Sequence, residues 1–540
     1  MLWFTNKSMT HSLNLRPQVK LMSRTAGRRR KVQQETFNPC AIPQLERQVK
    51  RNRFAPIAAL EPEQVELIHE ASMDILEQLG IEVMGQAALD LFKQAGADVD
   101  SNGVVRMDRA LVMECISKAP AQFTLTPRNP SNALEIGSNI IHFGLTSGPP
   151  NVHDCVNGRR LGNFTDYEHM IRFGQYFNVI DFFGNQAVAP TDLPPNTRHL
   201  DTTFANLTLA DKVFFAQGIG AGRVKDAVAM NAIANGMSLK ELAQNPATMT
   251  NININSPRKL DDSMAYGAMQ MAKMGQAVTV TPFTLMGAMT PTTMAGALAQ
   301  QNAEALLGIA LVQLTKAGAP VVYGGFTSNV DMRSGAPAFG TPENCLANMA
   351  SGQMARRYNL PYRTSACNAS NAVDGQAVYE TQMALWGSVM GHGNLIYHAA
   401  GWLEGGLVAS FEKIVMDCEM LQHMSVMLQP LKIDRIEIGI DAMEEVGPGG
   451  HFFGCNHTME RYKDAFYQPF LSDWKNHESW VEAGSKDATM RATEIWQKIL
   501  AEFEPPQIDL AKQEELEAYV AKRKEELGSS EPQLEPIEIE

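Results

Sequence analysis

The sequence predicts an α/β protein built on a (β/α)8 TIM-type barrel, with an N-terminal helical cap and a C-terminal helical extension. Eight short apolar segments recur between residues 140 and 402. Each closes in polar or aromatic residues, and most are followed by a helix-length stretch, the alternation expected of parallel strands joined by crossover helices. The chain has 540 residues, 44% of them hydrophobic and 19% charged, which exceeds the roughly 250 residues of a minimal barrel. Further elements must therefore flank it.

Residues 1–55 read as a basic arm. Arg16, Lys20, Arg24, Arg28, Arg29, Arg30 and Lys31 precede the first acid, Glu35. Both a flexible arm and a transit peptide fit that pattern. Residues 56–135 read as the cap. Pro62 stands near a helix start, Val65, Ile68, Ile75, Leu76 and Leu79 share a face, and Gly80 is a stop. Two further elements, at 86–94 and 108–119, precede a strand-like QFTLT at 122–126.

The barrel with its C-terminal helices is placed at 136–505. Its strands are expected at IIHFGL (140–145), VIDFFGNQ (179–186), VFFAQGIG (213–220), TMTNININ (248–255), AVTVTPFTLMG (277–287), PVVYGGF (320–326), PYRTSACN (361–368) and LIYHAAGW (395–402). Thr341-Pro342-Glu343 orders a capping hydroxyl, a first-turn proline and an acid as a helix N-terminus requires. The apolar stretch 294–314 is interrupted by Gln300, Gln301, Asn302, Glu304 and Gln313, so it reads as a buried barrel helix and not a membrane span. A helical segment at 411–429 carries Met416, Met420, Met424 and Met427, flexible fillers of a core. A Gly-rich turn, VGPGGHFFGCNHT (446–458), leads to helices through Phe503, and 506–540 read as an acidic helix and a frayed, solvated tail. A doubly wound open sheet is the fold alternative, but no GxGxxG follows the first strand.

Composition narrows the function. A formal net charge of −13 argues against nucleic acid and suits a cationic or neutral ligand. Seven cysteines without a CxxC pair point to a reducing, cytoplasmic setting. No HExxH or Cys/His cluster supports a metal, and no GxSxG elbow supports a serine hydrolase. The GPGG at 447–450 reads as a loop-shaping turn, with a backbone nest for an anion as the other option.

In a barrel the site lies at the C-terminal ends of the strands. Those ends carry Ser147, Asn185, Gln186, Gln217 and Asn255, then Tyr323 with Asn329, Asp331 and Arg333. The last two strands add Ser365, Asn368, Asp374 and Gln376, then Tyr397, His398, Trp402 and Glu404. Neutral polar groups, aromatic rings and a few carboxylates describe a cage for a cation, in which each ring contributes about 0.5 to 2 kcal/mol. Tyr323, Tyr397, Trp402, Phe452 and Phe453 are the ring candidates, with core packing the competing reading for Tyr323 and Tyr397.

The succession TPFTLMGAMTPTTMAGALAQQNAEALLG (281–308), PVVYGGF with Asp331-Met332-Arg333, TPEN (341–344), DGQAVYE (374–380), SFEKIVMDCEM (410–420) and GPGGHFFGCNHT (447–458) resembles the trimethylamine methyltransferase family, in collinear order over roughly residues 20–505. The resemblance implies a corrinoid-dependent methyltransferase. It would present an N-methyl group of a quaternary or tertiary methylated amine to the cobalt(I) of a corrinoid, a cobalamin-type group carried by a separate protein and not held tightly by this chain. The archaeal trimethylamine enzymes insert pyrrolysine; this chain has standard residues throughout, so it resembles the non-pyrrolysine branch and its glycine betaine:corrinoid methyltransferases.

On this resemblance Tyr323, Tyr397, Trp402 and Phe452 would cage the ammonium, and Asp331 and Glu404 would supply diffuse negative charge. His398, Asn368 and Gln376 would orient the polar end, and His398, His457 or the GPGG amides would serve a carboxylate. Two alternatives remain at this stage: trimethylamine or another methylamine as donor, and a non-catalytic methylamine-binding barrel. The expected partners are the corrinoid protein and the amine, with self-association open and neither nucleic acid nor membrane expected.

Overall fold

Eight parallel strands close on themselves into the expected barrel. In the computed structural model, which describes residues 42–184 and 186–539, they are β1 (Ile140–Leu145), β2 (Phe182–Gly184), β3 (Val213–Ala216), β4 (Met249–Ile254), β5 (Ala277–Met286), β6 (Val321–Gly324), β7 (Tyr362–Ser365) and β8 (Leu395–Ala400). Each pairs with the next, and β8 pairs back to β1. Every strand falls inside one of the eight segments read from the sequence.

Helices cover the outside. The cap contributes α1 (Pro62–Asp74), α2 (Gln86–Gln94) and α3 (Arg109–Ser117). The crossover helices are α4 (Phe164–Tyr176), α5 (Arg198–Leu209), α6 (Ala221–Asn235), α7 (Asp262–Lys273), α8 (Met294–Thr315), α9 (Pro342–Arg357) and α10 (Gly375–Met390), and α11 (Phe411–Met427) follows the last strand. After them come α12 (Ala488–Glu502) and α13 (Leu510–Leu527).

The apolar helix α8 is buried almost all round because the cap helices cover the face that the barrel leaves open. Its interrupting polar residues are satisfied inside. Asn302 Nδ2 donates to Ser72 Oγ and to Tyr358 Oη, both at 2.9 Å, and Glu304 accepts from Ser256 and Gln300.

The N-terminal end of the barrel is plugged. A hairpin of Gln122–Leu125 and Leu134–Gly137 sends Leu125, Leu134 and Ile136 into the same cluster as Phe182, Val213, Met249, Ala277, Val322 and Leu395. A cavity can therefore open only at the opposite end. Above this plug the tips of two rings fill the space that a Cβ would take on a neighbouring strand: Phe182 at Gly144 and Phe215 at Gly184. A Cβ at Gly184 would stand 1.9 Å from the Phe215 ring. Gly184→Ala is thus expected to cost about 1 to 3 kcal/mol through overpacking, read as a lower denaturant midpoint. An unchanged midpoint would show that the ring has room to move.

Two stretches are better anchored than the sequence suggested. Of the expected basic arm, residues 1–41 lie outside the described residues, but 42–55 run along the barrel. Lys50–Arg51 pairs with Ile141 and Ile140 of β1, and the buried Lys50 Nζ sits 2.8 Å from Asp181 Oδ2. That buried ion pair, invisible to a local reading of basic composition, ties the segment down. At the other end α13 docks through Arg523 and Tyr519 on Asp226. The tail then crosses the start of α6, where the amides of Ala221 and Gly222 donate to the carbonyls of Leu534 and Gln533 at 2.9 and 2.7 Å. Those amides are free at any helix N-terminus, and here the tail satisfies them.

Candidate functional site

A cavity of about 340 Å³ opens at the C-terminal end of the barrel, lined by residues of several strands and of the loops above them. Alternation along each strand decides what faces it. In β4, Met249 joins the plug below, Asn251 and Asn253 line the cavity, and Ile252 and Ile254 turn outward to the helices. In β7, Tyr362 turns outward to Asn348 on α9 and Arg363 turns inward.

β8 breaks this parity. Its register shifts between Ile396 and Ala400, and His398 adopts φ +56, a left-handed conformation costly for a residue with a Cβ. As a result both Tyr397 and His398 line the cavity. Strained backbone of this kind gathers at functional sites, where surrounding structure holds it.

The walls are aromatic. β5 is long enough to pair first with β6 and then with Phe326–Val330, which places Phe283 and Phe326 above the barrel rim as neighbours, ring centres 5.0 Å apart. Trp402 begins a short strand paired with Val408–Ser410, and its ring lies 4.3 Å from that of His398. Phe215 stacks on Tyr397 at 5.4 Å from below. The amides of Gln186, Gln217, Asn251 and Asn253 supply the polar side.

One charge stands in this apolar setting. The Arg363 guanidinium lies 4.5 Å from the Tyr397 ring centre and 4.9 Å from that of Phe326, buried, with no carboxylate within 4 Å among the described residues. It donates to His398 Nε2 at 3.3 Å and weakly to the Gly325 carbonyl, while its Nε has no partner among those residues. Burial lowers its pKa only to about 10, so it is cationic at neutral pH. Burial, with the Arg363 charge beside it, holds His398 well below the usual histidine range. His398 is therefore neutral. Since its Nε2 accepts from Arg363, the proton resides on Nδ1, which also lacks a partner.

Of the residues singled out from the sequence, the structure brings Tyr397, His398 and Trp402 together in the cavity. Asn368 stands behind Trp402 and holds it: the indole Nε1 donates to the Asn368 carbonyl at 3.0 Å, and Asn368 Nδ2 donates back to the Trp402 carbonyl. Tyr323 faces away, because its position in β6 alternates with the inward Val322, and its hydroxyl donates to Asn302 on α8 at 3.0 Å. Asp331 lies in an exposed turn that it closes by accepting from Ser334. Gln376 is exposed on the first turn of α10, donating to Glu380. Glu404 pairs with Arg159 at 3.1 Å on the rim, outside the cavity lining. Phe452 and His457 belong to a segment after α11 and do not line the cavity.

Sequence reasoning passed over Arg363, Phe215, Phe283, Phe326 and the asparagines of β4. Arg363 had a signal: an arginine inside a segment that reads as a buried barrel strand needs a reason to be there.

The model of the family described as trimethylamine methyltransferase (MTTB) matches residues 24–528. Among curated relatives, a glycine betaine methyltransferase of Desulfitobacterium hafniense (strain Y51) is 35% identical over 470 residues, covering 87% of this chain and 98% of the relative. A trimethylamine methyltransferase MttB of another strain of that species (DSM 10664 / DCB-2) is 28% identical, covering 87% and 95%. A proline betaine:corrinoid methyltransferase of Eubacterium limosum is 25% identical, covering 74% and 84%. By a family match that spans nearly the whole sequence and includes every barrel strand, the chain belongs to the trimethylamine methyltransferase family.

Proposed function

We propose that this methyltransferase takes an N-methyl group from a betaine, a quaternary ammonium that also bears a carboxylate, and passes it to a corrinoid on a separate carrier protein. The observation that carries this reading is Arg363. A buried cation without a counter-ion is costly unless a ligand completes it, and a carboxylate is the complement that guanidinium geometry favours. Relatives acting on glycine betaine and proline betaine support the same class.

The two ends of a betaine find different walls. The carboxylate meets Arg363, with the Nδ1–H of His398 a further donor in the cavity wall. The trimethylammonium cannot donate a hydrogen bond, and it meets the rings of Trp402, Phe283 and Phe326. A bare methylamine fits less well. Protonated, it would be repelled by Arg363; neutral, it would leave that charge unanswered.

The cavity has room for such an amine and far too little for a corrinoid macrocycle, so donor and acceptor meet at the mouth. The corrinoid supplies the cobalt nucleophile. The chain supplies orientation and exclusion of water, with one methyl group held towards the opening. A quaternary amine leaves as a neutral tertiary amine and needs no proton, so no general acid is required. The neutral His398 is consistent with this.

The test is methylation of a reduced corrinoid carrier, followed by absorbance, with a panel of donors. Glycine betaine or proline betaine should react, and tetramethylammonium and trimethylamine should react far more slowly. Equal rates with tetramethylammonium would overturn the betaine assignment. Trp402→Ala should weaken betaine binding by about 1 to 2 kcal/mol, or about 5- to 30-fold, with Trp402→Phe losing less. Unchanged affinity in a folded Trp402→Ala protein would remove the indole from the cation's surroundings.

A further inference from the structure

Trp402 stands on a hairpin outside the barrel strands, paired with Ala409, and behind it runs a buried polar chain. Asn368 Nδ2, which donates to the Trp402 carbonyl, also donates to Thr381 Oγ1 on α10 at 3.0 Å. The same Thr381 oxygen accepts from Lys413 Nζ on α11, again at 3.0 Å, and Lys413 pairs with Asp417 one turn further along. Asp417 brings the chain back to its start. Its Oδ2 accepts at 2.8 Å from the amide of Gly401, the residue just before Trp402. The Gly401 carbonyl accepts from the amide of Ser410, the N-cap of α11, at 3.0 Å. Asn368, Thr381, Lys413 and Asp417 are all buried, and none of them lines the cavity.

A buried ion pair is a poor means of stabilising a fold. Desolvating two charges costs about as much as their attraction returns, and packed apolar side chains of similar volume often do as well or better. What the pair does is fix geometry. An ammonium only donates and an ionised carboxylate only accepts, so Lys413 needs an acceptor at Thr381 and Asp417 needs a donor at Gly401. Both are met at one setting of the corner that carries the indole. Gly401 takes φ +92 there, and a Cβ on it would stand 2.6 Å from Ile414 Cγ1 on α11. The indole that follows lies 4.3 Å from the His398 ring. The pair thus reaches Trp402 from two sides, through the amide before it and through the asparagine behind it.

We infer that Thr381 and the Lys413–Asp417 pair are positioning residues that set the Trp402 indole in the cation site. The inference rests on the betaine reading, in which the indole faces the trimethylammonium. A displacement of about 1 Å in a site that must aim one methyl group costs up to about 100-fold in rate. These residues therefore act on the reaction through Trp402, without touching the substrate.

Thr381→Val keeps the shape of the side chain and removes the acceptor that Asn368 and Lys413 share. The chain has six tryptophans, and in protein labelled with 5-fluorotryptophan the fluorine resonance of Trp402 is the one that Trp402→Phe removes. That resonance should move and broaden in Thr381→Val while the others stay in place, and it should return in Thr381→Ser. With glycine betaine and the reduced corrinoid carrier, Thr381→Val should lower kcat about 10- to 100-fold and raise the Kd less than Trp402→Ala does, with Thr381→Ser recovering most of both. If circular dichroism shows Thr381→Val unfolded, Lys413→Met/Asp417→Leu, which exchanges the pair for apolar side chains, takes its place with the same expectations. An unmoved Trp402 resonance would overturn the inference, as would a disturbance spread over all the tryptophans, or an unaltered kcat beside a moved resonance. Unchanged betaine affinity in Trp402→Ala sinks the betaine reading instead, and the resonance still decides whether Thr381 sets the indole.

Discussion

Arg363→Met is expected to raise the dissociation constant for glycine betaine by about 30- to 1,000-fold, the loss of a desolvated charge pair worth about 2 to 4 kcal/mol. Tetramethylammonium, which has no carboxylate, should bind the variant as well as or better than the unaltered protein, since a like charge has been removed. Arg363→Lys should recover little, because an ammonium cannot reproduce the planar fork stacked between Tyr397 and Phe326. The fold should not suffer. The guanidinium is buried with no acidic partner among the described residues, so an apolar side chain of similar length removes a desolvation cost, and the melting temperature of Arg363→Met should stay level or rise. Calorimetric titration together with thermal unfolding checks both halves. A destabilised variant with unaltered betaine affinity would make Arg363 a structural residue.

Asp181→Ala is expected to give the largest loss of stability, about 3 to 5 kcal/mol, because it strands the Lys50 ammonium in the interior. Asp181 Oδ1 accepts from Lys50 Nζ at 3.0 Å and Oδ2 from the Phe143 amide at 2.9 Å. Burial pushes the Asp181 carboxyl up, but Lys50 and His142 more than outweigh it and hold the pKa well below the usual carboxylate range. A depressed carboxylate stabilises above its unfolded pKa of about 3.9, and the contribution is lost as pH falls towards the folded value. The gap between the unaltered protein and Asp181→Ala in urea unfolding should therefore be constant from pH 7 to about 5 and narrow in more acid solution. A gap that widens with acid would mean that the pair is not the source of the loss.

The barrel was legible because its strands are buried on both faces and read as apolar runs, spaced by helices of regular length. Its cap was legible through the one-sided pattern of α1. Parity was not. Whether a strand residue points in or out depends on register with its neighbours, so Tyr323 in β6 and Tyr397 in β8 looked alike in sequence and face opposite ways in the fold. The bulge in β8 that brings His398 in beside Tyr397 has no local signal. Attention to strand ends also hid Arg363, which sits one residue into β7. Phe452 and His457 follow a glycine-rich turn that resembles a site loop, yet α11 carries the chain away from the cavity before that turn begins. Trp402 stood out because it lies where the strand ends, and Asn368, close to it in space, serves to hold it.

The most direct measurement compares glycine betaine with its methyl ester, which keeps the trimethylammonium and loses the negative charge, in the unaltered protein and in Arg363→Met. The account predicts that the unaltered protein binds the acid far more tightly than the ester, and that the variant binds the two about equally. Equal binding by the unaltered protein, or a preference for the acid that survives the substitution, would contradict it.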